Sequence, residues 1–99
     1  MDEYLTKTID ITLFKTTDGP GDFGFGLDMD GDNKIIHIHP KGNLAKHPDG
    51  ALVSVGMQVI QVNFMDVSPK RNVIETINTY ITTNKFTLTI QKVIQNNDE

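Results

Sequence analysis

Apolar and polar positions alternate with a period of two in two segments, one near each end of the chain. Ile9, Ile11 and Leu13 alternate with Asp10 and Thr12, and Phe14 follows; Phe86, Leu88 and Ile90 alternate with Thr87 and Thr89. Successive side chains of a strand point to opposite faces, so each segment predicts a strand with one buried face, and the β-branched bias supports it. Beyond Val93 the pattern is lost, and the polar run Gln95 to Glu99 is expected to fray.

Between these segments the chain changes character often. Thr16 to Asp22 holds two glycines and a proline among Thr and Asp, which predicts a loop. From Phe23 glycines alternate with bulky apolar residues up to Leu27-Asp28-Met29-Asp30, a loop running into a second strand, and Gly31-Asp32-Asn33 predicts a tight turn out of it. Ile35 to His39 predicts a third strand, closed by Pro40, which has no N–H for a sheet ladder. Asn43 to Lys46 has room for one helical turn, and His47-Pro48-Asp49-Gly50 for another turn. Leu52, Val53 and Val55, then Met57 to Val62, predict two short strands interrupted at Gly56.

Ser68-Pro69 carries the strongest helix-start signal. A serine accepts from free first-turn amides, and proline is tolerated where its missing N–H is not needed. Val73, Ile74, Ile77, Tyr80 and Ile81 then fall at helical spacing, and the helix is expected to fade through Thr82 to Asn84. The sum is five or six short strands with one longer and one short helix. The expected class is therefore mainly β with α, a mainly antiparallel sheet or partial barrel capped by the longer helix, because a parallel sheet needs a helix at nearly every crossover.

Composition narrows the function. With 99 residues, 37% of them hydrophobic, the chain has material for one modest core and not for two. Nine basic against thirteen acidic residues, net −4, argue against nucleic acid as a partner, since a phosphate binder concentrates Lys and Arg on one face. The absence of cysteine removes a thiolate nucleophile and a Cys-based zinc site. The opening Met1-Asp2-Glu3-Tyr4 is acidic where a signal peptide is basic, and no apolar run is long enough to cross a bilayer, so no membrane insertion is expected. The compartment is not fixed; a cytoplasmic one is the expectation.

The candidate chemistry centres on Gly24-Phe25-Gly26-Leu27. A Gly-x-Gly loop exposes backbone N–H groups with little side-chain cover and suits a carboxylate or a phosphate. Phosphate is the poorer fit. A dinucleotide site needs a third glycine and a helix directly after the loop, whereas here a strand with two aspartates follows. Asp28 and Asp30 share one strand face and so cannot flank a cleft as a hydrolytic pair, and no nucleophile, base and oxyanion hole assemble. His37 and His39 have the spacing of a zinc pair that would need a third ligand such as His47 or Asp49. Strand histidines beside a proline turn are more often exposed or bonded to carbonyls, so neither metal nor cofactor is expected.

Taken in order, these segments resemble the PDZ family over about Ile9 to Lys92. Gly24-Phe25-Gly26-Leu27 stands in place of the family's Gly-Leu-Gly-Phe loop with Phe and Leu exchanged. Ile35 to Pro40 matches its third strand, Gly42-Asn43-Leu44-Ala45 the start of its short helix, and Gly50-Ala51-Leu52 its Gly-x-Leu. Gly56-Met57-Gln58-Val59-Ile60-Gln61-Val62-Asn63 is similar to the family's Gly-Asp-x-Ile-Leu-x-Val-Asn-Gly. Met57 replaces the usual Asp and Phe64 the frequent Gly, so the turn after Asn63 is expected to differ. The expected strand order resembles that of metazoan-type members. On this reading residues 1–8 are an extension, 9–93 the domain and 94–99 a flexible tail.

The resemblance implies a non-enzymatic interaction module. A partner's C-terminal tail would add as an antiparallel strand between the second strand and the second helix. Its carboxylate would be held by the amides of Phe25, Gly26 and Leu27 in the loop that Gly24 opens, with Lys15 reaching it through water. The groove would be formed by Asp28, Met29, Lys70, Ile74 and Ile77. Phe25, Leu27, Ile74 and Ile77 would take an apolar last residue, and Lys70, at the start of the groove-facing helical row, would favour an acidic or polar third-last residue. An isolated domain is expected to be monomeric. The competing readings make Phe25 and Leu27 ordinary core residues and Lys15 and Lys70 solvated lysines; a groove that recognises an internal loop or another domain, or a histidine-based metal site, are the functional alternatives.

Overall fold

The computed structural model describes residues 3–17, 19, 22–81 and 83–96. Strands β1 (Glu3–Phe14) and β6 (Lys85–Asn96) pair antiparallel over twelve residues each, from Glu3 opposite Asn96 to Phe14 opposite Lys85, without a bulge. Strand β4 (Gln58–Val62) lies on the far side of β6 and β5 (Met65–Asp66) beyond it, giving the order β1-β6-β4-β5. A second sheet consists of β2 (Leu27–Met29) and β3 (Ile35–Ile38). All four pairings are antiparallel.

The two sheets are stitched at one corner. Ile35 N–H donates to the Met57 carbonyl (2.7 Å), Gly56 N–H to Ile35 (2.8 Å) and Val59 N–H to Asn33 (2.9 Å). The resulting partial barrel is capped by α1 (Asn43–Lys46) and α2 (Val73–Tyr80), so the expected class is the observed one. The alternation read from the sequence selects the core: Ile11 and Leu13 of β1, Phe86, Leu88 and Ile90 of β6, and Val59 and Val62 of β4 are buried together with Ile35, Leu44, Val73 and Ile77. Burial of these side chains supplies the main driving force for folding.

Four expectations are corrected. The helix does not start at Ser68-Pro69: Ser68 and Arg71 exchange backbone hydrogen bonds (3.0 and 3.1 Å) across a tight turn with Pro69 and Lys70 at its tip. Helix α2 begins at Val73, and its cap is Asn72, whose side chain accepts from Glu75 N–H at 2.8 Å. Leu52, Val53 and Val55 do not form a strand; Gly50–Leu52 is a single 3-10 turn. Strand β1 starts at Glu3 rather than near Ile9, and Gln95 and Asn96, expected to fray, belong to β6. Of the predicted loop from Thr16, residues 18, 20 and 21 lie outside the described residues, as do Thr82 and 97–99 of the tail.

Candidate functional site

The glycine loop folds as it does because its carbonyls are claimed from one side. Thr16 N–H donates to the Phe23 carbonyl (2.9 Å), Leu44 N–H to that of Phe25 (2.9 Å) and His39 N–H to that of Gly26 (2.7 Å). In a trans peptide the next N–H points opposite to the carbonyl. The N–H groups of Gly24, Gly26 and Leu27 are thereby turned away from the protein segments that bind those carbonyls. Among the described residues the N–H of Gly26 donates to no backbone carbonyl.

This path needs left-handed backbone at Phe23 (φ 59°), Gly24 (φ 73°) and Gly26 (φ 75°). Gly26 is constrained twice over, since a Cβ there would run into the Gly42 Cα at the entry to α1. Beneath the loop the rings of Phe23, Phe25 and Phe86 pack with centroids 5.5 to 6.0 Å apart. The Lys15 ammonium lies 5.5 Å from the Phe23 ring centroid, which keeps this cation beside the loop.

Strand β2 continues from the loop and exposes an unpaired edge. Gly26 accepts from His39, and the same register sets Leu27 opposite Ile38 and Asp28 opposite His37. Antiparallel hydrogen bonding alternates along a strand, so Gly26 and Asp28 turn their backbone groups to β3 while Leu27 and Met29 turn theirs outward. Among the described residues β2 pairs with β3 alone.

Along this edge runs a cavity of about 170 Å³. Leu27 to Asp30 form one wall and Asn72, Val73 and Ile74 at the start of α2 the other, with Asn33 also lining it. Asn33 holds the two walls in register. Buried and left-handed (φ 63°), it accepts from Val73 N–H (3.1 Å) and donates through Nδ2 to the Ser68 carbonyl (3.2 Å). The acidic side of the cavity is organised by the turn: Asp30 Oδ1 accepts from the N–H groups of Asp32 (2.8 Å) and Lys34 (3.0 Å).

Of the residues singled out in the sequence, Leu27, Asp28, Met29 and Ile74 meet at this cavity. Phe25, Leu27 and Ile77 are only 2–3% exposed and pack in the core, so Ile74 is the residue of that apolar set with substantial surface toward the groove. Lys70 is exposed in the turn before the helix and does not line the cavity; the register that set it at the head of the groove-facing row is replaced by one headed by Asn72 and Val73. Asn33 and Asn72 were missed as groove residues. For Asn72 a signal existed, the spacing Asn72-x-x-Glu75 of a helix cap.

The histidines form a separate group on the outer face of the β2–β3 sheet. The rings of His37 and His39 meet edge to face with centroids 4.4 Å apart, and His39 Nε2 lies 3.2 Å from Asp28 Oδ2. His47 Nδ1 instead accepts from Asp49 N–H (3.0 Å), in its own turn. Among the described residues no three metal-ligating side chains are grouped to hold an ion. No helix among them is long and apolar enough to cross a membrane.

This arrangement of strands, short helix and capping helix is a PDZ-like fold. The PDZ domain from choanoflagellate SHANK1, solved bound to a GIRK3 peptide, superposes with a TM-score of 0.61 over 89% of this chain and 94% of that one, at 17% sequence identity. No protein-family model and no curated protein matches the sequence.

Proposed function

We propose that this chain is a peptide-binding interaction module, and not an enzyme, that takes the C-terminal tail of a partner protein as an added strand on β2. The observation that carries the reading is the outward edge of Leu27 and Met29 directly beside the cavity under α2. The edge offers main-chain hydrogen bonds to an extended peptide, and the cavity receives its side chains. The tail's carboxylate ends on the N–H groups of Phe25, Gly26 and Leu27, with Lys15 adding positive charge nearby. Its last side chain is apolar and lies against Leu27 and Ile74. At the third-last position the helix presents Asn72 and Val73, so an apolar or hydrogen-bonding residue is preferred there to an acidic one. The structural neighbour supports this reading, since its domain was solved with a peptide bound.

Such a short strand buries less than a standard interface, which sets the affinity in the micromolar range. The deciding measurement compares a peptide ending in free valine with its C-terminally amidated twin by calorimetry. We expect amidation to weaken binding about tenfold or more, the effect of losing a charge-assisted set of hydrogen bonds. Equal binding of the two peptides would overturn the carboxylate loop.

A further inference from the structure

Strand β1 carries a second open edge, far longer than the one beside the cavity. Lys15 N–H donates to the Asn84 carbonyl (2.8 Å), continuing the register that pairs Phe14 with Lys85. Odd-numbered residues of β1 therefore exchange hydrogen bonds with β6, and even-numbered ones turn their N–H and C=O groups outward. The contact at Phe14 agrees, because its carbonyl accepts from Asn43 Nδ2 (2.6 Å) of α1, outside the sheet. From Thr12 back to Tyr4 the outward groups have no strand beside them: among the described residues β1 pairs with β6 alone.

Proteins normally blunt such an edge with a short strand, a bulge, a proline or charges. Strand β5, at the other side of the sheet, is two residues long. Strand β1 is twelve residues long, without proline or bulge, and between Thr6 and Thr12 its only charged residues are Lys7 and Asp10.

We propose that this edge pairs with the same edge of a second copy of the chain, antiparallel about a two-fold axis, joining two four-stranded sheets into one. The two charges select the register. An axis at Lys7 sets two lysines opposite each other and an axis at Asp10 two aspartates, both unfavourable. An axis at Thr8 sets Asp10 opposite the partner copy's Thr6, and one at Ile9 sets it opposite Thr8. In either case a hydroxyl donor faces a carboxylate, which already accepts from Thr89 Oγ1 at 2.7 Å within its own chain. The edge thus supplies both the charge and the donor that answers it, the property an isologous interface requires. The residues lining the β2–α2 cavity are not part of this edge, so the dimer keeps two grooves open. Two linked grooves bind clustered tails more tightly than either does alone.

The test is self-association of the full chain by sedimentation velocity at rising concentration, combined with amide exchange. A reversible dimer is expected, with the amides of Thr6, Thr8 and Asp10 gaining protection as the concentration rises. Thr8→Pro removes an N–H that β6 does not use, so it should weaken dimerisation about tenfold or more while leaving the melting curve close to that of the unaltered chain. Should this variant fail to fold, the concentration-dependent exchange of the unaltered chain decides alone. A chain that stays monomeric to millimolar concentration, or a dimer in which Thr8 exchanges as fast as in the monomer, overturns the proposal.

Discussion

Phe64 occupies a backbone conformation that suits glycine. It follows Asn63 (φ 49°) in the two-residue turn between β4 and β5, and its own φ is 65° with the side chain 67% exposed. Both central residues of a two-residue hairpin turn of this hand are left-handed, and a Cβ in that region costs on the order of 1–2 kcal/mol. Phe64→Gly is accordingly expected to raise the unfolding free energy by about 1 kcal/mol in urea titration; a loss of stability would mean that the exposed ring contributes packing. At this scale the sequence was legible where local backbone demand chose the residue. Gly24 and Gly26 announce themselves, whereas the altered turn expected from Phe64 does not appear: Phe64 takes the left-handed backbone that a glycine would take there. Asn33 was legible only as a turn former, because its bonds to Val73 and Ser68 reach 40 and 35 residues along the chain and leave no local pattern.

The elements show where local signals mislead. Ser68-Pro69 and Asn72-x-x-Glu75 both satisfy the rules for a helix start, and tertiary structure decides between them. Asn33 accepts the Val73 N–H and so fixes the first helical residue, while Ser68 closes a separate turn through its backbone and its hydroxyl, which accepts from Arg71 N–H at 3.2 Å. The two assignments predict different energetics. Asn72→Ala should cost about 1 kcal/mol of stability through the lost cap. Ser68→Ala, whose side chain serves only the exposed turn, should cost no more than about half that. Thermal unfolding of the two variants measures the contrast, and a larger loss at Ser68 would restore the earlier start. Of the apolar stripe, Val73 and Ile77 are buried, Ile74 faces the cavity, and Ile81 follows the helix as its cap. The first half of β1 was invisible for a physical reason. Thr6, Lys7 and Thr8 are exposed and need no alternation, because the ladder to β6 and not a buried face keeps them extended.

Strands close to the two ends of the chain are neighbours along their whole length, and this pairing sets the outline of the molecule, 46 × 28 × 19 Å. Among the described residues only Gln58 to Val62 of β4 reach β6, through Gln91 to Leu88, and the outer part of β6 has β1 as its one strand partner. The groove and the ribbon are thus separable in space, and they should be separable in function. A chain trimmed to residues 9–93, the limits that the sequence suggested for the domain, keeps the loop, β2, Asn33 and all of α2, but loses the β1 residues Glu3 to Thr8 and with them most of the free edge. It should bind a free-carboxylate peptide with the affinity of each protomer of the full chain, melt at a lower temperature because the outer ladder is gone, and sediment as a monomer at concentrations where the full chain dimerises. If the trimmed chain folds yet binds peptide markedly more weakly, the ribbon supports the groove across the barrel and the two sites are coupled. If it still dimerises, the contact between copies lies elsewhere than on β1.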